Sequence, residues 1–137
     1  MERFDVVVVG AGTGGCMAAW VTAKAGLNVC LIDRRREEEV GRKICGNVIG
    51  KHHFDNLNLP HPHGEELEQV VKGIRIYSPD LKTVFIVAEE GAHGFVVNRP
   101  RFGKRLLQYA VQAGATFLPS TQAIKPIIRE GFVVGVS

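Results

Sequence analysis

The stretch that decides the fold is FDVVVVGAGTGGCMAAWVTAKAGLNVCLIDR, from Phe4 to Arg34. The four valines Val6 to Val9 predict a short strand, and an apolar run with no polar position is typical of a strand covered on both faces of a parallel sheet. A glycine-rich segment follows, and then Thr13 to Lys24 predicts a helix. We expect Gly26 to end that helix in a left-handed conformation, which glycine adopts readily. Asn28 to Ile32 predicts a second strand.

The segment between the first strand and the helix, GAGTGG, has glycines where a phosphate-binding turn needs them. Gly10 permits a tight turn out of the strand, Gly12 lets the backbone approach a pyrophosphate, and Gly15 lets the helix pack close to the strand. The first N–H groups of a helix and its dipole attract phosphates. We therefore predict that Thr13 and Gly14, which open the helix, also contact the phosphates.

Asp33 closes the second strand, where a carboxylate can accept hydrogen bonds from both hydroxyls of a ribose. A negative charge at this position disfavours a 2′-phosphate, so the ligand is expected to be FAD or NAD rather than NADP. Arg34 is a candidate contact for the adenosine or a phosphate, whereas the charges that follow at 35–39 are expected in a solvated loop. Strand, turn, helix and acid together indicate a dinucleotide-binding βαβ unit. The alternative is a glycine turn in another kind of α/β domain.

Composition and charge exclude several classes of protein. The 137 residues are 45% hydrophobic and 23% charged, as in ordinary soluble domains, and the net charge of +3 is too small to indicate nucleic-acid binding. The apolar runs are shorter than the roughly 18 residues that a membrane span needs. Charged residues lie directly beside the valine strand, which is not the plan of a signal peptide. Together with the odd number of cysteines described next, this leads us to expect a cytoplasmic protein, with association with a membrane left open.

The chain has three cysteines. Cys16 and Cys30 are interpreted as small packed residues, and an odd number of cysteines favours reduced thiols. Cys45 differs, since it lies between basic residues and a glycine in the loop KICG, where a lowered thiol pKa is expected. A helix that begins near Gly46 or Asn47 would add to that effect. A buried loop cysteine is the alternative, and the residues alone leave both open.

Four histidines fall between residues 52 and 63, but their pattern does not predict a metal site. Two are adjacent, which would place them in different directions on a helix, and the other two lie in a proline loop. No cysteine or carboxylate stands at ligand spacing. The four are His52, His53, His61 and His63.

Three short β-type runs follow, and we predict that they form a small antiparallel sheet inserted at about residues 71–98. They are Gly73 to Ser78, Thr83 to Ala88 and Gly94 to Asn98, with turn signals at 78–80 and 89–91.

A helix is predicted next, with Pro100 in its first turn and Gly114 as its cap. Its apolar stripe is expected to consist of Phe102, Leu106, Leu107, Ala110 and Val111. Thr116 to Leu118 predicts a third parallel strand, and residues 123–128 and 132–136 predict a hairpin.

The order of these elements bears on the cofactor. About 80 residues separate the second parallel strand from the third, whereas a plain NAD half-domain needs only one crossover helix there. An FAD domain with an inserted substrate-side sheet fits better. The predicted fold is therefore an α/β, FAD/NAD(P)-binding, Rossmann-like three-layer domain with a small inserted antiparallel sheet and a terminal β-hairpin, and residues 1–137 are expected to form a single domain.

The chain resembles the FAD-dependent geranylgeranyl reductase family, within the flavoprotein class that includes the aromatic hydroxylases. The resemblance rests on the βαβ unit, on the loop around Cys45, and on the stretch from Val97 to Ala115. The βαβ unit is specific only for the superfamily. The Lys43–Gly46 loop favours the reductases, because aromatic hydroxylases usually lack its cysteine.

The resemblance implies roles for several residues. The glycines would hold the FAD pyrophosphate and Asp33 the ribose. Arg99 would contact the ribityl–pyrophosphate part, and Ala123 would offer its backbone to adenine. Cys45 and Gly46 would lie near the isoalloxazine ring and the reacting alkene. Cys45 would there orient the substrate or the flavin, or relay a proton.

The implied reaction is reduction of isoprenoid double bonds, in which reduced FAD delivers a hydride from N5 to one alkene carbon and a proton reaches the other. The expected partners are a lipid substrate, a reduced nicotinamide or ferredoxin as electron donor, and a membrane surface. Members of the family are much longer and carry a later Gly-Asp segment. We therefore expect these 137 residues to be inactive alone and to hold FAD weakly. The alternatives are an aromatic hydroxylase or halogenase, and a nucleotide-binding module without catalysis.

Overall fold

A computed structural model describes residues 2–88 and 93–137. The chain divides into two compact units. We call Met1–Arg42 together with Gly103–Ser137 the nucleotide unit, and Lys43–Phe102 the inserted unit. Whether the units fold as one domain stays a prediction.

The described residues form ten strands and three α-helices, with short 3-10 helices at Glu37–Glu39 and Gly64–Glu66. In chain order the strands and α-helices are β1 (Val6–Val9), α1 (Thr13–Lys24), β2 (Val29–Ile32), β3 (Val48–Gly50), α2 (Lys51–Asn56), β4 (Leu67–Val71), β5 (Ile74–Tyr77), β6 (Val84–Val87), β7 (Gly94–Val97), α3 (Arg99–Gln112), β8 (Thr116–Leu118), β9 (Pro126–Arg129) and β10 (Phe132–Val136).

The nucleotide unit contains the predicted parallel sheet, in the order β1-β2-β8. Leu31 in the central strand pairs with Val8 of β1 on one side and with Phe117 of β8 on the other. All four residues of β2 are buried, as expected for a strand between two neighbours. These elements confirm the predicted helix α1 and the three predicted parallel strands, β1, β2 and β8.

The expectation that β1 is covered on both faces is wrong. Val7 is 37% exposed and Val9 59% exposed. Successive side chains of a strand point to opposite faces, and Val8 lies on the face towards the start of α1. Val7 and Val9 line an open cleft of about 680 Å³ beside the β9–β10 hairpin. One face of β1 is therefore covered and the other is accessible.

The turns of the nucleotide unit follow from residues that adopt positive φ. Gly26 has φ +87°, and its N–H donates to the Ala23 carbonyl at 2.9 Å, which confirms the predicted end of α1. Gly114 has φ +105° after α3. Glu130 and Gly131 both have positive φ between β9 and β10, the conformation that a tight hairpin turn requires. The terminal hairpin is thus confirmed.

Helix α3 has a narrower buried stripe than predicted. Leu106, Leu107 and Ala110 are buried in the nucleotide unit, but Val111 is 48% exposed, so its assignment to the stripe is wrong. A close contact explains an unexpected glycine in this helix: a Cβ on Gly103 would run into the backbone of Gly41. The helix passes so near this loop that only glycine fits.

The inserted unit holds two antiparallel sheets rather than the single one predicted. β5 and β6 form a hairpin by themselves, and β7 lies between β3 and β4. Strands β3 and β4 are not predicted from the sequence, because VIG and LEQVV are short and lack a clear alternation. β7 is almost wholly buried. It pairs with β3 along one edge and with β4 along the other, and not with β5 or β6 as in the predicted sheet.

Aromatic rings form the core of the inserted unit. Phe54 of α2 is 1% exposed, and its ring lies 5.5 Å from that of Phe95 and 5.8 Å from that of Phe102. The predicted turn at 78–80 is confirmed, since the Ser78 N–H donates to the Thr83 carbonyl at 2.9 Å. The predicted turn at 89–91 lies outside the described residues.

Candidate cofactor site

The glycine turn in the nucleotide unit has the predicted steric plan. Gly10 has φ +102°, a conformation that a side chain would strain, and its N–H donates to the Ile32 carbonyl at 2.7 Å. A Cβ on Gly15 would collide with the Gly10 carbonyl group, so α1 can lie this close to the turn only with glycine here. A Cβ on Gly12 would meet open space. The turn thus leaves room for a ligand above its backbone.

The N-terminus of α1 opens onto this space. Gly12 is the N-cap, so the helix start has no side-chain capping bond, and the first turn holds no acidic residue. Thr13 and Gly14 are both exposed there. Backbone N–H groups and the helix dipole favour an anion at such an end. The geometry fits a pyrophosphate, and the contacts of the individual residues with it stay a prediction.

Asp33 is bound to the turn as well as to the end of β2. Its Oδ2 accepts the Ala11 N–H at 2.7 Å, and its Oδ1 accepts the Arg35 N–H at 2.8 Å. An ionised carboxylate has about four acceptor sites, so capacity remains for ribose hydroxyls. The bond to Ala11 was not predicted from the sequence, which places the two residues 22 positions apart.

A cleft of about 360 Å³ lies beside Asp33. Arg34 and Ala123, both predicted as ligand contacts, line it, and so do Arg35, Thr121 and Gln122. Arg35 was expected in a solvated loop, and Thr121 and Gln122 were not predicted to lie at the site. For these last two residues, the available signal was their position shortly after the third parallel strand, because the carboxyl ends of such strands meet at the ligand-binding edge.

Hydrogen bonds hold this edge together. The Thr121 N–H donates to the Asp33 carbonyl at 2.8 Å, and the Asp33 N–H donates to the Leu118 carbonyl at 3.2 Å. The Ser120 N–H donates to the Arg35 carbonyl at 2.9 Å. The segment after β8 is thereby fixed next to the predicted ribose acid.

Cys16, in the first turn of α1, has no exposed surface, and its thiol donates to the Ala11 carbonyl at 3.5 Å. Burial, together with the nearby charge of Asp33, raises the pKa of Cys16 to about 11. Cys30 is also buried, in β2. The interpretation of these two cysteines as packed residues is consistent with their burial, and Cys16 has a hydrogen bond in addition.

The inserted unit brings together Cys45, Gly46 and Arg99. Cys45 is exposed, which is the opposite of the buried alternative left open by the sequence. A hydrogen bond from the Asn47 backbone N–H lowers the pKa of the Cys45 thiol. The Arg99 side chain lowers that pKa further through its charge and a hydrogen bond, and Lys43 adds a smaller effect of its charge. The predicted lowering is thus found.

The prediction that a helix begins near Gly46 or Asn47 and lowers the pKa of Cys45 is wrong. Residues after Gly46 enter strand β3, and α2 begins only at Lys51. Asn47 has φ +58°, a conformation that asparagine tolerates, and its backbone N–H is the group that bonds to the Cys45 sulfur. A local turn therefore has the role that the sequence assigned to a helix end.

The histidines make contacts of other kinds. His61 Nε2 lies 2.6 Å from Asp55 Oδ1, and Lys51 Nζ lies 2.7 Å from Asp55 Oδ2. The rings of His52 and His53 lie 4.0 Å apart. Over residues 2–88 and 93–137, no three histidine, cysteine or acidic side chains cluster as metal ligands would.

Comparisons with known proteins agree with this geometry. The family described as Glucose inhibited division protein A matches residues 5–59. A digeranylgeranylglycerophospholipid reductase of Sulfolobus acidocaldarius is 40% identical over 97% of the chain. One of Methanothrix thermoacetophila is 35% identical over 98% of it. The chain is thus similar to these reductases along nearly its whole length.

Solved structures support the fold of the chain. A geranylgeranyl bacteriochlorophyll reductase-like protein of Thermoplasma acidophilum is 34% identical, with a TM-score of 0.87 over 99% of the chain and 34% of that protein. The halogenase PltM in complex with FAD has a TM-score of 0.70 over 94% of the chain and 30% of its own. At 20% identity, it shows the shared fold alone.

The chain spans about a third of the length of these relatives, 29% of the Sulfolobus protein and 34% of the Methanothrix protein. Among the residues described here, the helices are too short or too polar to cross a bilayer.

Proposed function

We propose that this chain is the FAD-binding part of a flavin-dependent oxidoreductase that reduces isoprenoid double bonds of a lipid. The observation that carries the proposal is the 40% identity to a digeranylgeranylglycerophospholipid reductase over 97% of the chain. The substrate class is proposed from the names of the relatives. The geometry of the nucleotide unit supports the cofactor, and the inserted unit supports the chemistry.

In this proposal the nucleotide unit holds the adenosine half of FAD. The pyrophosphate lies over Gly12 and the start of α1, the ribose hydroxyls bind Asp33, and adenine occupies the cleft lined by Arg34 and Ala123. Open space above Gly12 and the remaining acceptor sites of Asp33 support this assignment. The match is between a dianionic group and an uncapped helix end, and between hydroxyl donors and a carboxylate.

The flavin side is assigned to Cys45, Gly46 and Arg99. FAD, when bound, supplies the hydride for alkene reduction. Gly46 has no side chain, so its backbone can approach a flat ring. Arg99 is a cation that suits the ribityl–pyrophosphate, and it also lowers the pKa of the Cys45 thiol. Ile44, fully exposed beside Cys45, offers an apolar contact to an isoprenoid chain.

Cys45 is proposed to contact the reacting alkene and to pass the proton that alkene reduction requires. A thiol with a lowered pKa gives up its proton more readily than an ordinary thiol. Cys45→Ser keeps a small hydroxyl but has a much higher pKa. In the protein of the relatives' length, Cys45→Ser should therefore lower the reduction rate by about 10²-fold, as loss of a positioned proton donor does.

The experiment is to purify the protein at the length of its relatives and to follow reduction of a geranylgeranyl glycerophospholipid by mass spectrometry. Dithionite, NADH, NADPH and reduced ferredoxin are compared as electron donors, since the sequence leaves the donor open. Saturation of the double bonds is the expected product. Oxygen-dependent hydroxylation or halogenation of an aromatic substrate, without alkene reduction, would contradict the proposal.

Contact with a membrane surface is part of the proposal, because the proposed substrate is a lipid. Flotation with phospholipid vesicles tests it. We expect the protein to float with vesicles that contain the isoprenoid lipid, and recovery of all the protein in the bottom fraction would contradict the contact.

A further inference from the structure

The peptide groups on both sides of Ala11 are held by side chains. Asp33 Oδ2 accepts the Ala11 N–H at 2.7 Å, and the Cys16 thiol donates to the Ala11 carbonyl at 3.5 Å. Ala11 is 3% exposed, so its peptide groups depend on these two partners rather than on bulk water. A buried backbone group that loses its partner is costly, so these two bonds constrain the backbone at Ala11.

Ala11 lies between the two glycines that shape the turn. Gly10 is fixed by its N–H bond to Ile32, and Gly12 is the N-cap whose carbonyl accepts the Cys16 N–H at 2.9 Å. The orientation of the two peptides flanking Ala11 therefore sets where Gly12 and the first N–H groups of α1 stand. A pyrophosphate over Gly12 would depend on this orientation.

We propose that Asp33 and Cys16 form a two-sided clamp on Ala11 that holds the phosphate-binding turn in its ligand-ready shape. This rests on the proposed nucleotide binding and adds to it. Asp33 is then more than a ribose ligand, because it also positions the turn that binds the pyrophosphate. Cys16 is a positioning residue that does not touch the ligand, since it has no exposed surface.

The anchoring of Asp33 makes such a clamp rigid. Its backbone N–H donates to Leu118, the last residue of β8, its carbonyl accepts from Thr121, and its second carboxylate oxygen accepts the Arg35 N–H. A residue held by two backbone bonds and by both carboxylate oxygens has little freedom to follow a moving turn. The turn is instead held at the position of Asp33.

Three ligands distinguish the effect of the clamp on the turn from direct contact between Asp33 and the ligand. ADP carries the ribose hydroxyls and the pyrophosphate, 2′,3′-dideoxy-ADP lacks the hydroxyls, and adenosine lacks the phosphates. Affinities are measured by isothermal titration calorimetry on the 137-residue chain and its variants. Urea unfolding confirms that each variant is folded before its titration.

Cys16→Ala should weaken ADP and 2′,3′-dideoxy-ADP by the same factor, about 3- to 10-fold for one lost hydrogen bond, and leave adenosine unchanged. Cys16→Ser restores a donor and should recover part of the loss. Cys30→Ala is the matched control, because it removes a buried thiol from β2 that is not bonded to Ala11. Equal affinity of Cys16→Ala and the unaltered chain for 2′,3′-dideoxy-ADP would overturn the role of Cys16.

Asp33→Ala gives the second test. If Asp33 only binds the ribose, this variant and the unaltered chain should bind 2′,3′-dideoxy-ADP equally, or the variant more tightly because a negative charge is gone. The clamp instead predicts weaker binding by the variant, about 10-fold. Equal or tighter binding would overturn the role of Asp33. Failure of the unaltered chain to bind ADP at all would overturn the proposed function itself, and the clamp with it.

Discussion

At the scale of single residues, the thiols of Cys16 and Cys45 have pKa values shifted in opposite directions. Cys16 is buried near a carboxylate, and its pKa is raised to about 11 from the ordinary value of 9.0. Cys45 is exposed, with a backbone N–H and two basic side chains near its sulfur, and its pKa is lowered. The charged thiolate is therefore disfavoured at Cys16 and favoured at Cys45.

The raised pKa of Cys16 predicts a loss of stability at high pH. The unfolded chain releases the Cys16 proton near pH 9 and the folded chain only near pH 11, so the stabilisation is complete below pH 9 and is lost as the pH rises through this window. Cys16→Ala should flatten the fall in the free energy of unfolding between these values, measured by urea unfolding. Cys45→Ala is the control, since the pKa of Cys45 is lowered rather than raised and this thiol gives no loss of stability as the pH rises through this window. An unchanged slope in Cys16→Ala would contradict the burial of this thiol.

The lowered pKa of Cys45 predicts selective alkylation. With iodoacetamide, Cys45 should react before Cys16 and Cys30, with a rate that rises at a pH below the ordinary thiol value. Arg99→Gln should move this rise to higher pH, and Lys43→Gln should move it less, because Arg99 has the larger effect. Peptide mass spectrometry over a pH series measures both. Identical profiles for Arg99→Gln and the unaltered chain would show that the guanidinium does not act on the sulfur.

At the scale of elements, α1 depends on one glycine for its approach to β1. A Cβ on Gly15 would collide with the Gly10 carbonyl group, whereas one on Gly14 would meet open space. Gly15→Ala should destabilise the chain by about 1–3 kcal/mol, the usual cost of overpacking. Gly14→Ala should be neutral or slightly stabilising, because alanine favours helix. Urea unfolding without ligand compares the two, and equal effects would contradict the close packing.

The helix α2 and strand β7 of the inserted unit depend on their aromatic core. Phe54→Ala should cost about 3–5 kcal/mol, because the buried ring contacts Phe95 and Phe102. Phe85→Ala is the matched control on β6, where the ring is 62% exposed, and it should cost much less. The free energy of unfolding is again the measure. Similar costs for the two variants would contradict the assignment of the core.

At the scale of the whole molecule, the cleft beside Asp33 has room for an adenosine, and the relatives are about three times as long as the chain. We expect the 137 residues alone to bind FAD more tightly than ADP, because the proposed contacts of Cys45, Gly46 and Arg99 with the flavin side add to those that the two ligands share. Titration with both ligands tests this. Equal affinities would mean that only the adenosine half of the proposed site binds, and would contradict the proposed flavin contacts.

Much of the nucleotide unit was predictable because its signals are local. A four-valine strand, glycines at Gly10 and Gly15, and a helix over Thr13–Lys24 each follow from neighbours in the sequence. The inserted unit was harder. β3 and β4 are too short to show a period, and their pairing with β7 joins segments far apart in the chain. This pairing accompanies the burial of β7, and no pattern within a single segment of the sequence predicts it.

The sequence by itself determined the βαβ unit and the acid at Asp33, because glycine positions and strand patterns act within a few residues of one another. Only the tertiary structure decided what those residues touch. It placed the Asp33 carboxylate on the Ala11 N–H, exposed one face of β1, and replaced a supposed helix end at Cys45 by the turn of Asn47. These contacts depend on directions in space, and side-chain directions are set only when strands and helices pack.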